Sequence, residues 1–226
     1  WKIPEVEQTY TERDTMLYAL GLGCGGDPLD EADLRYVYEE GLTALPTMAT
    51  VLGSPGFWAR NPETGIDWKK VVHGEQGVTL HRVLPVKATI IGRTRITGLI
   101  DKGKDKGALL ISEREVIDKA TGALIATLSS TSFLRGDGGF GGPSGPTPEP
   151  HQLPTRAPDA VFEQKTLPQQ ALIYRLSGDY NPLHADPEVA THAGFRQPIL
   201  HGLCSLGVAG HAILRTACDY DPARFK

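Results

Sequence analysis

Paired cysteines are what this chain most plainly lacks: Cys24, Cys204 and Cys218 are the three it has, and no two form a C-x-x-C pair. An odd number without paired spacing favours free thiols in a reducing compartment over a disulfide framework. Long apolar runs are missing too. None approaches the roughly 20 residues of a membrane-spanning helix, so no membrane span is expected. Nor is there a basic excess: 23 Lys and Arg stand against 27 Asp and Glu, a formal charge of -4, which gives no electrostatic case for nucleic acid. A signal peptide is also absent. The chain opens on Trp1 rather than Met, as expected of a processed or excised piece, so that absence excludes no compartment. A C-terminal peroxisomal address would lie beyond Lys226. At 226 residues the chain can hold two small domains.

Chemistry concentrates in two segments. SGDYNPLH, Ser177 to His184, places a carboxylate, an amide and an imidazole within a few positions of a turn. The Asn181-Pro182 step disfavours helix continuation, and Gly178 tolerates the backbone of a sharp turn. Asp179 and His184 are therefore expected to converge, with room for a water molecule between them. QPILHGLCSLGVAGHAILRT, Gln197 to Thr216, is apolar and rich in small residues, and predicts a buried helix starting near Pro198. Gly202 falls in its first turn or so. Backbone N–H groups there have no intrahelical partner, and a glycine lets a substrate oxygen approach them, which makes Gly202 a candidate oxyanion site.

G-D-x-N-P-L-H followed by P-I-L-H-G-L resembles the (R)-specific enoyl-CoA hydratases, the hydratase 2 or MaoC-like family. The resemblance extends through YTERDTMLYALG (Tyr10 to Gly21), HGEQ (His73 to Gln76) and GGFGG (Gly138 to Gly142), which are similar to the hydratase 2 part of type 2 multifunctional enzymes, and so covers nearly the whole chain. It implies an α+β double hotdog, two sheets each wrapping a long helix. It also implies reversible hydration of trans-2-enoyl-CoA to (3R)-3-hydroxyacyl-CoA in fatty-acid β-oxidation, with Asp179, His184, Asn181 and Gly202 at the site. No metal or redox cofactor is expected, coenzyme A entering only as part of the substrate. A homodimer, a possible fusion to an upstream dehydrogenase domain, and a peroxisomal location in a eukaryote or a cytoplasmic one otherwise complete the implication.

A double hotdog should show an internal repeat, and a faint one is present. MLYALGLG aligns with LIYRLSGD, Tyr18 against Tyr174, and LPTMATVLG with QPILHGLCS, Pro46 against Pro198. In the first copy Gly23 stands opposite Asp179, Pro28 near where His184 should fall, and Thr50 opposite Gly202, so that copy has lost the chemistry. Gly53, Pro55 and Gly56 also shorten its helix, which would leave room for an acyl chain. The expected organisation is a non-catalytic hotdog unit over 1–134 on the acyl-chain side, a linker over 135–158 with six Gly and six Pro, and a catalytic unit over 159–226. That second unit runs out soon after its helix and is expected to be incomplete, with further strands beyond and its helix only partly covered.

Thr11 with Asp14 predicts a capped helix through about Leu20, and Thr166 with Gln169, with Pro168 in the first turn, another through about Leu176. β-branched-rich runs at 78–86, 88–100, 108–117 and 124–133 predict antiparallel strands. Other residues are read as structural: His201 as a helix-start residue, Cys204 as a packing residue rather than a nucleophile, Tyr18 and Tyr174 as core or pocket wall, and His73 to Gln76 as a turn. His184, His192, His201 and His211 are not spaced as a metal set. Two rival functions stay open on the residues alone. One is a hotdog acyl-CoA thioesterase, whose carboxylate directs water at the thioester carbonyl; the other is a non-catalytic acyl-CoA-binding module.

Overall fold

Alternation of apolar and polar residues between 88 and 134, punctuated by short turns, builds two long hairpins. The Asp118 carboxylate accepts from the Thr121 N–H at 2.8 Å and its hydroxyl at 3.0 Å, fixing the second reversal ahead of Gly122, whose φ is +70°. The computed structural model describes residues 2–147, 149 and 152–225. Trp1, Pro148, Pro150, His151 and Lys226, and with them part of the expected linker and both chain ends, lie outside the described residues.

Five strands form one antiparallel sheet in the order β1-β3-β4-β5-β2: β1 Val6–Tyr10, β2 Val71–Leu80, β3 Ala88–Asp101, β4 Ala108–Asp118 and β5 Leu124–Leu134. Gly92, Val116, Ala126 and Leu80 share one cross-strand row, and Ile90, Val116, Ala126 and Leu128 are fully buried on the inner face. On the outer face, Arg93 pairs with Glu5 at 2.7 Å and Lys119 with Glu7 at 2.6 Å. These are exposed contacts worth less than about 1 kcal/mol each.

The helices are α1 Glu12–Gly21, α2 Glu31–Val37, α3 Gln170–Tyr174, α4 Pro187–His192 and α5 Gly202–Ala217. The helix expected after Pro46 is a single 3₁₀ stretch, Pro46–Val51, so the first copy is indeed cut short. Gly53 follows at φ +60° and presses its backbone on Gly92 of β3, where a Cβ on Gly92 would stand 2.0 Å from the Gly53 oxygen. Two glycines are therefore needed to seat this segment against the sheet.

α1 and α3 pack together, with the fully buried Tyr18 and Tyr174 rings 5.9 Å apart. α5 lies on the 46–51 stretch and on α1 through glycine: a Cβ on Gly207 would meet Leu22 at 2.5 Å, and one on Gly210 would meet Thr47 at 2.5 Å. The main core runs from the sheet (Ile90, Val116, Leu128) through α1 and Met48 to Tyr174, Cys204 and Leu214, and a smaller cluster gathers Ala108, Leu110 and Leu134. The fold is α+β and hotdog in type, but among the described residues the strands all belong to the first unit. α5 buries Cys204, Gly207, His211 and Leu214 and leaves Ser205, Ala209 and Ile213 exposed, so its apolar surface is only partly covered.

Four expectations about elements are corrected. The strand expected at 78–86 is β2, Val71–Leu80, and His73 to Gln76 lies inside it rather than in a turn, with a bulge between His73 and Glu75. Thr166 and Gln169 make no capping box: the Gln170 side chain accepts from the Leu167 N–H at 2.9 Å, α3 ends at Tyr174, and a 3₁₀ turn follows. α5 begins at Gly202, four residues after Pro198. β1, α2 and α4 were not anticipated. The start of the linker is pinned: the Asp101 carboxylate accepts N–H bonds from Gly103, Gly139 and Gly141 at 2.7–2.8 Å, which folds the GGFGG segment onto the end of β3. Those N–H groups, Gly139 first, hold the Asp101 carboxyl below the usual carboxylate range.

Candidate active site

The turn that carries Asp179 and His184 is built by its own side chains. Gly178, at φ +120°, ends the 3₁₀ turn after α3. Asp179 Oδ1 accepts from the Asn181 N–H at 3.2 Å, and Asn181 Oδ1 accepts from the Leu183 N–H at 3.1 Å, capping the 3₁₀ turn Pro182–His184. Arg175 braces the outside, donating to the Tyr180 carbonyl at 3.0 Å. The result turns His184 inward, where it is buried, while Asp179 stays half-buried.

His184 Nδ1 lies 2.8 Å from the Ile199 carbonyl oxygen. A carbonyl only accepts, so Nδ1 carries a hydrogen, and Nε2 is the ring nitrogen left to exchange a proton. Asp179, His184 and His201 bring a carboxylate oxygen and one ring nitrogen each within 4.8 Å of one another. His184 and Asp179 therefore converge as the spacing predicts. The three donors are also close enough to share a cation, a grouping that the spacing of the histidines does not reveal.

His201 is the residue sequence reasoning undervalued. It is the N-cap of α5, as a helix-start residue should be, but its ring is fully buried and stacks on His184 with centroids 3.7 Å apart. Its Nε2 donates to the Asp179 carbonyl at 3.1 Å. Burial, and then the neighbouring His184, lower its pKa, so it resists protonation. The adjacency of His201 to Gly202 in the chain was the available signal. Gly202 is the first residue of α5, is exposed, and would meet nothing within 4 Å if it carried a Cβ. Its N–H belongs to the first turn, where no intrahelical acceptor exists. Asn181 has its Oδ1 committed to the turn, so any role toward a ligand falls to its amide nitrogen.

A cavity of about 160 Å³ opens beside the turn. Leu176, Ser177 and Gly178 form one wall; the first unit supplies the rest, apolar at Tyr18, Met48 and Leu52 and polar at Gln8, Thr9 and Asp14. The shortened 46–51 stretch is thus a wall of this space. Cys204 is no nucleophile: burial pushes its thiol up to about 11, and it sits between the Gln170 amide and the Gly21 carbonyl. A second buried group, Cys24, Asp33 and His211, also has donor atoms close enough for a metal. There the Asp33 carboxylate already takes the His211 Nε2–H at 2.9 Å.

Residues 8–136 match the MFE-2 hydratase 2 N-terminal domain and residues 150–226 the MaoC like domain. The chain belongs to the hydratase 2 family. Among hydratase 2 relatives, the protein called "Enoyl-CoA hydratase 2, peroxisomal" of Arabidopsis thaliana is 43% identical over all of this chain and 77% of its own length. The peroxisomal multifunctional enzyme type 2 of Mus musculus is 36% identical over all of this chain, which spans 31% of it. Among solved structures, a MaoC-like dehydratase from Phytophthora capsici superposes with a TM-score of 0.83 at 40% identity, covering 99% of this chain and 78% of that one. No helix among the described residues is long and apolar enough to cross a membrane.

Proposed function

We infer that this protein hydrates trans-2-enoyl-CoA to (3R)-3-hydroxyacyl-CoA, reversibly, as a hydro-lyase of fatty-acid β-oxidation. The observation that carries the reading is the convergence of His184 and Asp179: a ring nitrogen and a carboxylate oxygen lie within 4.8 Å of one another, and with Nδ1–H bound to Ile199 O at 2.8 Å the nitrogen left to take a proton is Nε2. Asp179 accepts one hydrogen of a shared water and orients it. His184 Nε2 takes the other as the oxygen adds to C3, and the imidazolium returns a proton to C2 from the same face. Negative charge builds on the thioester oxygen, and the Gly202 N–H, helped by the α5 N-terminus, stabilises it. The acyl tail lies in the cavity between Leu176 and Met48.

The chemistry adds water across a double bond with no change of oxidation state overall, and calls on no metal or redox group. Acyl-CoA binding, a peroxisomal location in a eukaryotic host and fusion to a dehydrogenase domain belong to the same reading. The names of the Arabidopsis and mouse relatives support it. The test is loss of the conjugated-thioester absorbance when the protein meets crotonyl-CoA and longer 2-enoyl-CoAs, with chiral analysis of the product. The (3R)-alcohol supports the reading. Release of free CoA thiol would identify a thioesterase instead, and binding without turnover an acyl-CoA-binding module.

A further inference from the structure

We propose that His201 is a positioning residue for this reaction, one that holds Asp179 and His184 at the separation and angle their shared water requires. The proposal rests on the assignment of Asp179 and His184 made above.

Two contacts from one ring carry it. The Nε2–H of His201 donates to the main-chain carbonyl of Asp179 at 3.1 Å, fixing the peptide from which the carboxylate projects. The face of the same ring lies on His184, 3.7 Å between centroids and 27° between planes. His184 is thereby held on its edge by Ile199 O and on its face by His201, which leaves the imidazole little freedom to turn its Nε2 away from the water. Behind His201 stands Tyr174, fully buried, with ring centroids 5.0 Å apart. Because His201 is also the N-cap of α5, the next N–H along the chain is that of Gly202. One residue therefore links all three: its ring touches the Asp179 peptide and His184, and its backbone leads into the proposed oxyanion donor.

The ring itself takes no part in proton transfer. The Asp179 carbonyl fixes its hydrogen on Nε2, and Nδ1 is buried with no hydrogen-bond partner among the described residues. A neutral aromatic face stacked on His184 also suits the moment when His184 becomes an imidazolium, since ring faces attract cations.

Steady-state hydration of crotonyl-CoA by three variants tests the proposal. His201→Gln places an amide nitrogen as many bonds from Cβ as the histidine Nε2, so it keeps the donor and loses the face. His201→Phe keeps the face and loses the donor, and His201→Leu loses both. Misplacing catalytic groups by about 1 Å costs on the order of 10²-fold, so His201→Leu is expected to lower kcat by about that much. KM should stay within roughly threefold, because only transition-state geometry is lost. His201→Gln should recover kcat to within about tenfold of wild type, with His201→Phe between the two. Wild-type kcat in His201→Leu, a loss confined to KM, or His201→Gln no better than His201→Leu would overturn it. If His201→Leu does not fold, the comparison of His201→Gln and His201→Phe with wild type decides: two unchanged kcat values refute the role. Asp179→Asn is measured alongside. Full turnover by that variant would remove the parent assignment, whereas an inactive Asp179→Asn beside unaffected His201 variants would remove only this one.

Discussion

At the scale of single residues, the proposal that Asp179 and His184 act through one water makes their losses interdependent. Alanine at either position is expected to lower turnover by about 10²-fold to 10⁴-fold, the range for a positioned general acid or base. The double variant should be little worse than the poorer single one. Multiplied losses in single-turnover assays would mean the two work apart. Gly202→Pro isolates the oxyanion donor, and the backbone accepts it: Pro suits the first position of a helix, and His201, at φ −62° and ψ 138°, already has the extended conformation demanded before proline. The fold should survive while the rate drops by about 10²-fold to 10³-fold. An unchanged rate in a folded variant would remove Gly202 from the site. The convergence of Asp179 and His184 and the place of Gly202 at a helix start were legible because the signals are local: an Asp, a turn and a His, then a glycine opening an apolar run. The contacts of Ile199 and His201 were not. Each acts on a residue 15 or 22 positions away, and no local pattern encodes such a contact.

At the scale of elements, what the sequence hid is what tertiary contact decides. α5 starts at Gly202 and not near Pro198 because the Ile199 carbonyl, which a longer helix would have used internally, accepts from His184 instead. β2 was misplaced because it is an edge strand paired only with β5, polar and largely exposed from Val72 to Glu75. It has no inward apolar alternation to read, and its pairing is carried by backbone. The inner strands β3, β4 and β5, with apolar residues facing the core, were placed within a residue or so. The shortening of the first copy's helix was equally legible, since Gly53, Pro55 and Gly56 cannot extend it, but the packing of Gly53 on Gly92 was not. That contact gives a test of how the cavity wall is seated. Gly92→Ala drives a methyl into the Gly53 backbone, a clash that no side-chain rotation relieves. It should cost about 1–3 kcal/mol in urea unfolding, whereas a neutral result would show that the 46–51 stretch can lift off the sheet freely.

At the scale of the whole molecule, the two units are tied by polar contacts as well as by a common core. Gln164 donates to the Leu22 carbonyl at 2.8 Å, Arg215 pairs with Asp30 at 2.6 Å, and His211 of α5 meets Asp33 of α2 at 2.9 Å with both side chains nearly inaccessible. Partners so far apart in sequence leave no trace in local pattern, which is why this seam was not foreseen. The Asp33–His211 contact is the costliest to break, because removing one member leaves the other buried without its counterpart. Burial alone would raise the Asp33 carboxyl. The hydrogen bond and charge of His211, the Gly25 N–H and Arg215 outweigh it and hold that carboxyl below its usual value. A carboxyl depressed on folding adds stability that is fully present above its unfolded value near 4 and is lost as pH falls through that value and then the folded one. Asp33→Asn, which keeps the shape and removes the charge, should therefore cost about 3 kcal/mol near pH 6. Its deficit relative to wild type should shrink steadily as urea unfolding is repeated from pH 5 down toward pH 3. A deficit that stays constant across that range would mean that the amide loses packing or hydrogen bonding alone, and that the charge on Asp33 does not hold the two units together.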